Sequence, residues 1–423
     1  MIAEKPEPIG TPETPADARC RGFGRTLCLI VLVAAGLRAA VFVGAEYRPG
    51  RFDFADSHRY MAVARNIAAG KGPVESDLVR AGTDPLFPYM LAVGVKLGFR
   101  EDAALMRFGR LVNTLAGLVS VVLLAFLARH LVGNGPALLA AAILAIDPIL
   151  VFFNALVLSE APYTAMLLAG VFCITRMTGQ RSGFAWAAGA GGLIGLATVM
   201  RSTNLFMPVV LLPFVWHFAG PARTRRMGMT ALFFVGAAAM LIPTTARNYA
   251  LFGHLVPVRT GGGAALMEAF GPWADGSPGM DRIRYPEFPQ DAGEYRRDQL
   301  CRNAALAWLR DHPHRAVSLA WAKLRRTWSI AINASDYSSR LYSVVAWATV
   351  APEFALTLGG LWLMRRNRAA VALLLVPAIY FTLVHVVFVG SVRYRVPAMP
   401  FLFVPAGVAL YRILHGLRGR SAA

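Results

Sequence analysis

Residues 365–397 read RRNRAAVALLLVPAIYFTLVHVVFVGSVRYRVP. Three arginines precede an apolar run of about twenty residues, and a short turn holding two more arginines follows it. A hydrocarbon core about 30 Å thick is crossed by about 20 apolar residues in a helix, so 370–389 is predicted to be a membrane span. Arg365, Arg366 and Arg368 have the look of a cytoplasmic connection, where arginine and lysine concentrate. The turn 390–397 then lies on the outer side, where topology alone gives Arg393 and Arg395 no reason to be.

The same reading extends along the chain. Spans are predicted at 25–44, 108–130, 135–153, 157–177, 184–200, 203–219, 229–247, 341–364, 370–389 and 396–414, about ten in all. Only 16% of the 423 residues are charged and 56% are apolar, whereas a soluble domain carries about 25% charged residues, so lipid is the expected solvent. The formal charge of +19 sits in short arginine runs between apolar segments, which sets topology and does not describe a nucleic-acid surface. Cys20, Cys28, Cys173 and Cys301 are scattered without metal or disulfide spacing. The first 24 residues are polar and Pro-rich, and the run behind them outlasts a signal peptide, so it reads as an uncleaved first span.

With a cytoplasmic N-terminus marked by Arg19, Arg21 and Arg25, the inner connections are 131–134, 178–183, 220–228 and 365–369. They and their flanks hold Arg129, Arg176, Arg181, Arg223, Arg225 and Arg226, with Arg418 and Arg420 in the tail. Both termini then face the cytoplasm and both long loops, 45–107 and 248–340, face outward. The expected organisation is a tail at 1–24, a transmembrane module at 25–247 that includes the first outer loop, an outer loop at 248–340, C-terminal spans at 341–414 and a tail at 415–423. Tyr60, Val63, Ala64 and Ile67 mark a short helix opened near Asp56, and a second begins at Pro85. Two amphipathic stretches, 291–310 and 313–332, carry Trp308, Trp321 and Trp328 as interfacial anchors. The fold class is therefore an all-α polytopic bundle with interfacial helices on its outer face.

Candidate chemistry collects at the outer boundary. Asp53, Asp56, Asp147 and Glu160 lie there, as do Arg201, Arg247, Arg393 and Arg395. Charge at this depth is costly unless paired or functional. Asp56 and Glu160 could also serve simply as helix-start residues, and Asp147 as a structural partner for an arginine. Guanidinium groups bind phosphate through charge-assisted, bidentate hydrogen bonds, and a carboxylate can take a proton from a hydroxyl. The set suits group transfer from a lipid phosphate, and equally the binding of an anionic solute by a transporter. No Walker loop, zinc helix or serine elbow is present. The run Gly261-Gly262-Gly263 reads as a tight outer loop, and Gly189, Gly191, Gly192 and Gly195 as a close helix-packing face.

Taken in order, these elements resemble the GT-C polyprenyl-phosphate-sugar-dependent glycosyltransferases, in particular relatives of the dolichyl-phosphate-mannose–protein mannosyltransferases and of aminoarabinose transferase. The resemblance runs from about residue 26 to 412. It is carried by Asp56-Ser-His-Arg-Tyr60 with the helix ending at Gly70, by Arg80 and Asp84-Pro-Leu-Phe-Pro88, by Leu158-Ser-Glu160 and by the span end at Arg201. Arg247-Asn-Tyr249, the segment 305–328 around His312-Pro313, and Arg393-Tyr-Arg-Val-Pro397 complete it. It implies an enzyme that moves a sugar from a polyprenyl-phosphate donor to a hydroxyl acceptor on the outer face of the inner membrane, with inversion. Asp56 would be the general base and Glu160 the second acid. Arg247, Arg393, Arg395 and Arg201 would hold the donor phosphate, with Asp53, Tyr60, Arg80, Asn248 and Tyr394 near the substrates. A divalent metal would suit the carboxylates and phosphate, though no spacing demands one. Many members carry an acidic pair where Ser57 follows Asp56 here, and larger mannosyltransferases add a soluble outer domain. The acceptor therefore stays open among glycolipid, envelope glycan and protein. The rival reading is a transporter or flippase for a polyprenyl-linked sugar.

Overall fold

The computed structural model of the protein describes residues 15–178, 182–332 and 340–421, with side chains over 22–416 of those stretches. Cys20, Arg19, Arg21, Arg181, Arg418 and Arg420 lie outside the side chains so described. The described chain is helical, with no β-strand among the described residues.

The helix α1 (Pro15–Tyr47) leads, at the end of the bundle expected from the sequence to face outward, to two short helices, α2 (Ala55–Ala68) and α3 (Leu86–Lys96), and then to the 31-residue α4 (Asp102–Val132). The next apolar stretch is broken. α5 (Asn134–Ile146) and α6 (Pro148–Ala155) meet at a bend of 53°. Asp147 makes the break, because its carboxylate accepts from Leu150 N at 2.7 Å and Pro148 has no N–H to continue the ladder. The bundle continues with α7 (Glu160–Thr175), α8 (Gly183–Met200), α9 (Met207–Phe218) and α10 (Arg223–Phe252). The outer cap is α11 (Gly262–Ala269), α12 (Glu294–Asp311) and α13 (Pro313–Thr327). Three spans close the chain: α14 (Arg340–Leu363), α15 (Arg368–Val387) and α16 (Met399–Ser421).

A helix forms in each of the ten expected spans, but not all are full crossings. Seven are long and apolar enough, and the bent α5–α6 pair makes an eighth. α7 has 16 residues and α9 has 12, which at 1.5 Å per residue rise only about 24 and 18 Å. Neither is long enough to cross a hydrocarbon core of about 30 Å as a straight helix. α8 and α10 approach closely because Gly191 and Gly195 lie between them. A Cβ on Gly191 would stand 1.9 Å from Phe233 O, and one on Gly195 would stand 2.6 Å from Ala237 O, while Gly189 and Gly192 face open space.

The outer cap is fastened by one carboxylate. Glu294 accepts from Arg80 N at 2.6 Å, from Ala81 N at 3.1 Å and from Thr260 Oγ1, so it joins the first outer loop to the second. The glycine run departs from the expected loop, since α11 starts inside it. Asp298, from α12, supplies the cap by accepting from Gly263 N at 2.7 Å, and Gly261 adopts a φ of +91° that favours glycine. That capping residue lies 35 positions away, beyond any local reading.

Candidate active site

The turn after α15 carries Arg393 to a point where two distant segments meet. Ser391 starts the turn by accepting from Arg393 N, and along the short 3-10 helix Val392–Arg395 the side chains of Arg393 and Arg395 diverge. Arg393 Nη1 donates to Asp56 Oδ2 at 2.7 Å, and its Nε donates to Glu160 Oε1. Arg201 Nη1 donates to the same Glu160 oxygen at 2.8 Å and to Ser159 Oγ at 3.2 Å. Arg59 Nη2 donates to Asp56 Oδ1 at 2.6 Å from one turn along α2. Three guanidinium groups thus face two carboxylates, leaving a net charge of +1.

Neither carboxylate acts as a helix cap. α2 begins at Ala55 with no side-chain cap bond, and Asp56 spends both oxygens on arginines. Glu160 is the first residue of α7, is 1% exposed, and leaves Oε2 buried without a hydrogen-bond partner. Burial alone would raise the Asp56 carboxyl, but the charges of Arg393 and Arg59 and the hydrogen bond from Arg393 outweigh it and hold the group below the usual carboxylate range. Burial disfavours the Arg393 charge too, and Glu160 and Asp56 reverse that, holding its pKa well above that of an ordinary arginine.

Aromatic side chains wall this cluster. Tyr60 is buried edge-on to Phe87 at 5.2 Å, and Tyr394 stacks on His385 at 3.9 Å. Burial pushes the Tyr394 phenol up to about 12, so it remains a hydroxyl. Glu268 of α11 faces the site from the outer cap. Its Oε1 accepts from Gly279 N at 2.7 Å, and burial, with the charge of Asp56 adding to it, raises its carboxyl. Arg259 Nη1 donates to Gly82 O at 2.9 Å and its Nε to Ser202 Oγ at 3.2 Å, while Asp84 accepts from Ser202 N at 3.1 Å. These contacts fix the backbone that carries Arg201. Arg59, Glu268 and Arg259 had no role in the sequence reading. Arg59 alone left a local signal there, at i+3 from Asp56 on one helix face.

The other arginines of the expected set lie elsewhere. Arg395 turns away from Arg393 and is 1% exposed. It donates to Thr327 O at 3.3 Å and to Ser329 O, and its guanidinium lies 5.4 Å from the Phe354 ring centroid. Behind it lie the carboxyls of Asp147 and Glu353, close enough to each other and to its guanidinium to interact electrostatically. Arg38 lies near the same break, donating to Asn154 Oδ1 at 2.7 Å and to Ala145 O at 3.1 Å. Arg247 donates to Arg80 O at 2.7 Å and Asn248 Oδ1 at 3.1 Å, so it braces the first outer loop. Asn248 donates to Val256 O and Val258 O and shapes the entry to the second. The Arg80 side chain is exposed, and Asp53 pairs with His58 at 2.7 Å at the surface. Among the described residues, no three His, Cys, Asp or Glu side chains gather to hold a metal ion.

Residues 82–246 match the dolichyl-phosphate-mannose-protein mannosyltransferase family. No curated protein matches the chain in sequence. In structure the chain is similar to the oligosaccharyltransferase of Archaeoglobus fulgidus. Against the form tethered to an acceptor peptide the TM-score is 0.56 at 13% identity, covering 93% of this chain and 50% of that one. Against the form with an inhibitory peptide and dolichol-phosphate it is 0.57 at 12% identity, covering 95% and 51%. The chain therefore spans about half the length of that enzyme. A looser likeness, at a TM-score of 0.39 and 14% identity over 95% of this chain and 79% of the other, is to ArnT from Cupriavidus metallidurans bound to undecaprenyl phosphate. The fold expected from the sequence holds: this is a multi-pass membrane protein with a GT-C-like fold.

Proposed function

We propose that the protein transfers a sugar from a polyprenyl-phosphate donor to a hydroxyl acceptor, with inversion, at the outer face of the cytoplasmic membrane. The observation that carries this reading is the bridge Asp56–Arg393–Glu160, which joins a candidate base to a candidate phosphate anchor through one guanidinium. A sugar phosphodiester bears one negative charge, which matches the surplus of one guanidinium over the carboxylates. The departing polyprenyl phosphate gains a further charge, and Arg393 and Arg201 are positioned to stabilise it as it develops.

In this account Asp56 takes the proton from the acceptor hydroxyl as that oxygen forms its bond to the anomeric carbon. The bond from that carbon to the phosphate oxygen breaks on the opposite face, and the electron pair leaves with the lipid phosphate. Configuration inverts because a single displacement occurs. Donor phosphate competes for Arg393 and loosens its hold on Asp56, which makes the carboxylate a stronger base when substrate is present. Glu160 Oε2 is buried without a hydrogen-bond partner, so a substrate hydroxyl that displaced its neighbours would find an unused acceptor there. The arginine bias of the opposite connections supports the outward orientation.

Purified protein in liposomes with a polyprenyl-phosphate sugar and a panel of hydroxyl acceptors tests the reading. Release of free polyprenyl phosphate together with a glycosylated acceptor supports it. Movement of intact donor between leaflets without release supports the flippase instead.

A further inference from the structure

At the end of the bundle opposite the candidate active site, the connection between α4 and α5, the connection between α14 and α15, and the last turns of α16 enclose an open cavity of about 740 Å³. One wall is apolar, made by Leu131, Val132, Met364 and Val408, and the rim carries Asn134, Asn367 and Arg412. The wall is rigid, because α5 and α16 touch through glycines. A Cβ on Gly135 would stand 2.1 Å from the Tyr411 ring, and one on Gly407 would stand 2.5 Å from Pro136 O. α5 opens at this rim without a side-chain cap. The two unbonded amides of its first turn, those of Asn134 and Gly135 ahead of Pro136, belong to residues that line the same cavity as Arg412.

Charge at this end is one-sided. Segments 129–136, 219–228, 364–369 and 411–416 hold Arg129, Arg223, Arg225, Arg226, Arg365, Arg366, Arg368 and Arg412, and none contains an Asp or Glu. Most of these are topology-setting charge on flat surface. Arg412 differs, because it stands at the mouth of a cavity whose inner wall is apolar. An anionic head joined to a hydrocarbon tail matches that pairing; a free anion would leave the apolar wall in water.

We propose that this cavity is a binding site for one anionic phospholipid of the leaflet opposite the active site. Its phosphate lies between Arg412 and the amide end of α5, and its acyl chains run along the Leu131, Met364 and Val408 wall. The site is independent of the glycosyl-transfer reading and of which leaflet is cytoplasmic.

Native mass spectrometry of the full chain, titrated in detergent with phosphatidylglycerol or phosphatidylcholine, tests it. The wild type is expected to retain one phosphatidylglycerol saturably, at least tenfold more tightly than phosphatidylcholine. Arg412→Glu and Asn134→Asp are each expected to abolish that preference. The second variant guards against misfolding as a cause, since aspartate at a helix start favours the helix. Arg366→Glu, on the same face outside the cavity lining, is expected to keep it. Equal loss in Arg366→Glu would mean a diffuse basic surface and overturn the proposal. So would full retention in Arg412→Glu, or displacement of the lipid by millimolar inorganic phosphate.

Discussion

Arg393 Nη1 lies 2.7 Å from Asp56 Oδ2 across 337 residues of sequence, and the same guanidinium holds Glu160 through Nε. Two donor edges of one planar group are thus occupied at once, a geometry an ammonium cannot copy. Arg393→Lys is expected to fold and to lose on the order of 10²–10³ in turnover. Arg393→Ala leaves Glu160 facing only Arg201, and loss of a buried partner of this kind costs roughly 3–5 kcal/mol of stability. Thermal unfolding in detergent beside a turnover assay separates the two effects.

The pH dependence follows from Asp56. Arg393 and Arg59 overcome the effect of burial and hold this carboxyl below its unfolded value, so it stays ionised through and below the usual carboxylate range. Its contribution to stability is full above that range and is lost only as pH falls through the depressed folded value. Removing Arg59, as Arg59→Met, raises the carboxyl and moves the acid limb of both stability and activity to higher pH. A pH–rate profile of the two proteins checks this, and superimposable acid limbs would contradict it.

Arg395 is expected to act on structure where Arg393 acts on turnover. Its guanidinium fills carbonyls at Thr327 and Ser329 and faces Asp147 and Glu353. Arg395→Met leaves those carboxyls without their cation and is expected to lower stability by about 3–5 kcal/mol. The double variant Arg395→Met with Glu353→Gln recovers part of that loss. Asp147→Asn retains a capping oxygen for Leu150 N, whereas Asp147→Ala costs about 1 kcal/mol more. Denaturation midpoints across this set give the comparison.

Glu294 fastens the two outer loops to each other. Glu294→Ala is expected to raise amide exchange over residues 78–83 and around Thr260 while the spans stay protected. Uniform protection in hydrogen-exchange mass spectrometry would show that the loops are held by other contacts.

The spans were legible because hydrophobic length and charge bias are local properties of the chain. So were Asp56, Glu160 and Arg393, since each is a charge at a boundary where charge is expensive. The direction of Arg395 was not legible. In a 3-10 turn, at three residues per turn, residues two apart point about 120° away from each other, and only the carbonyls at Thr327 and Ser329 decide which arginine goes inward. Arg247 read as a phosphate ligand, yet its guanidinium is spent on loop carbonyls, a contact that no pattern around residue 247 encodes. Arg38 and Glu353 lie inside predicted spans and carried the clearest unread signal, a charge in an apolar run. The break at Asp147 was also written locally, as Asp-Pro within a span.

The proposed mechanism gives Asp56 the proton transfer and Arg393 the phosphate, and one paired measurement separates the two roles. Donor binding and polyprenyl-phosphate release are measured on the same preparations of wild type, Asp56→Asn and Arg393→Ala. Asp56→Asn is expected to bind donor as the wild type does and to release polyprenyl phosphate on the order of 10²–10⁴ times more slowly, while Arg393→Ala loses binding. Undiminished release from correctly folded Asp56→Asn would rule out Asp56 as the base.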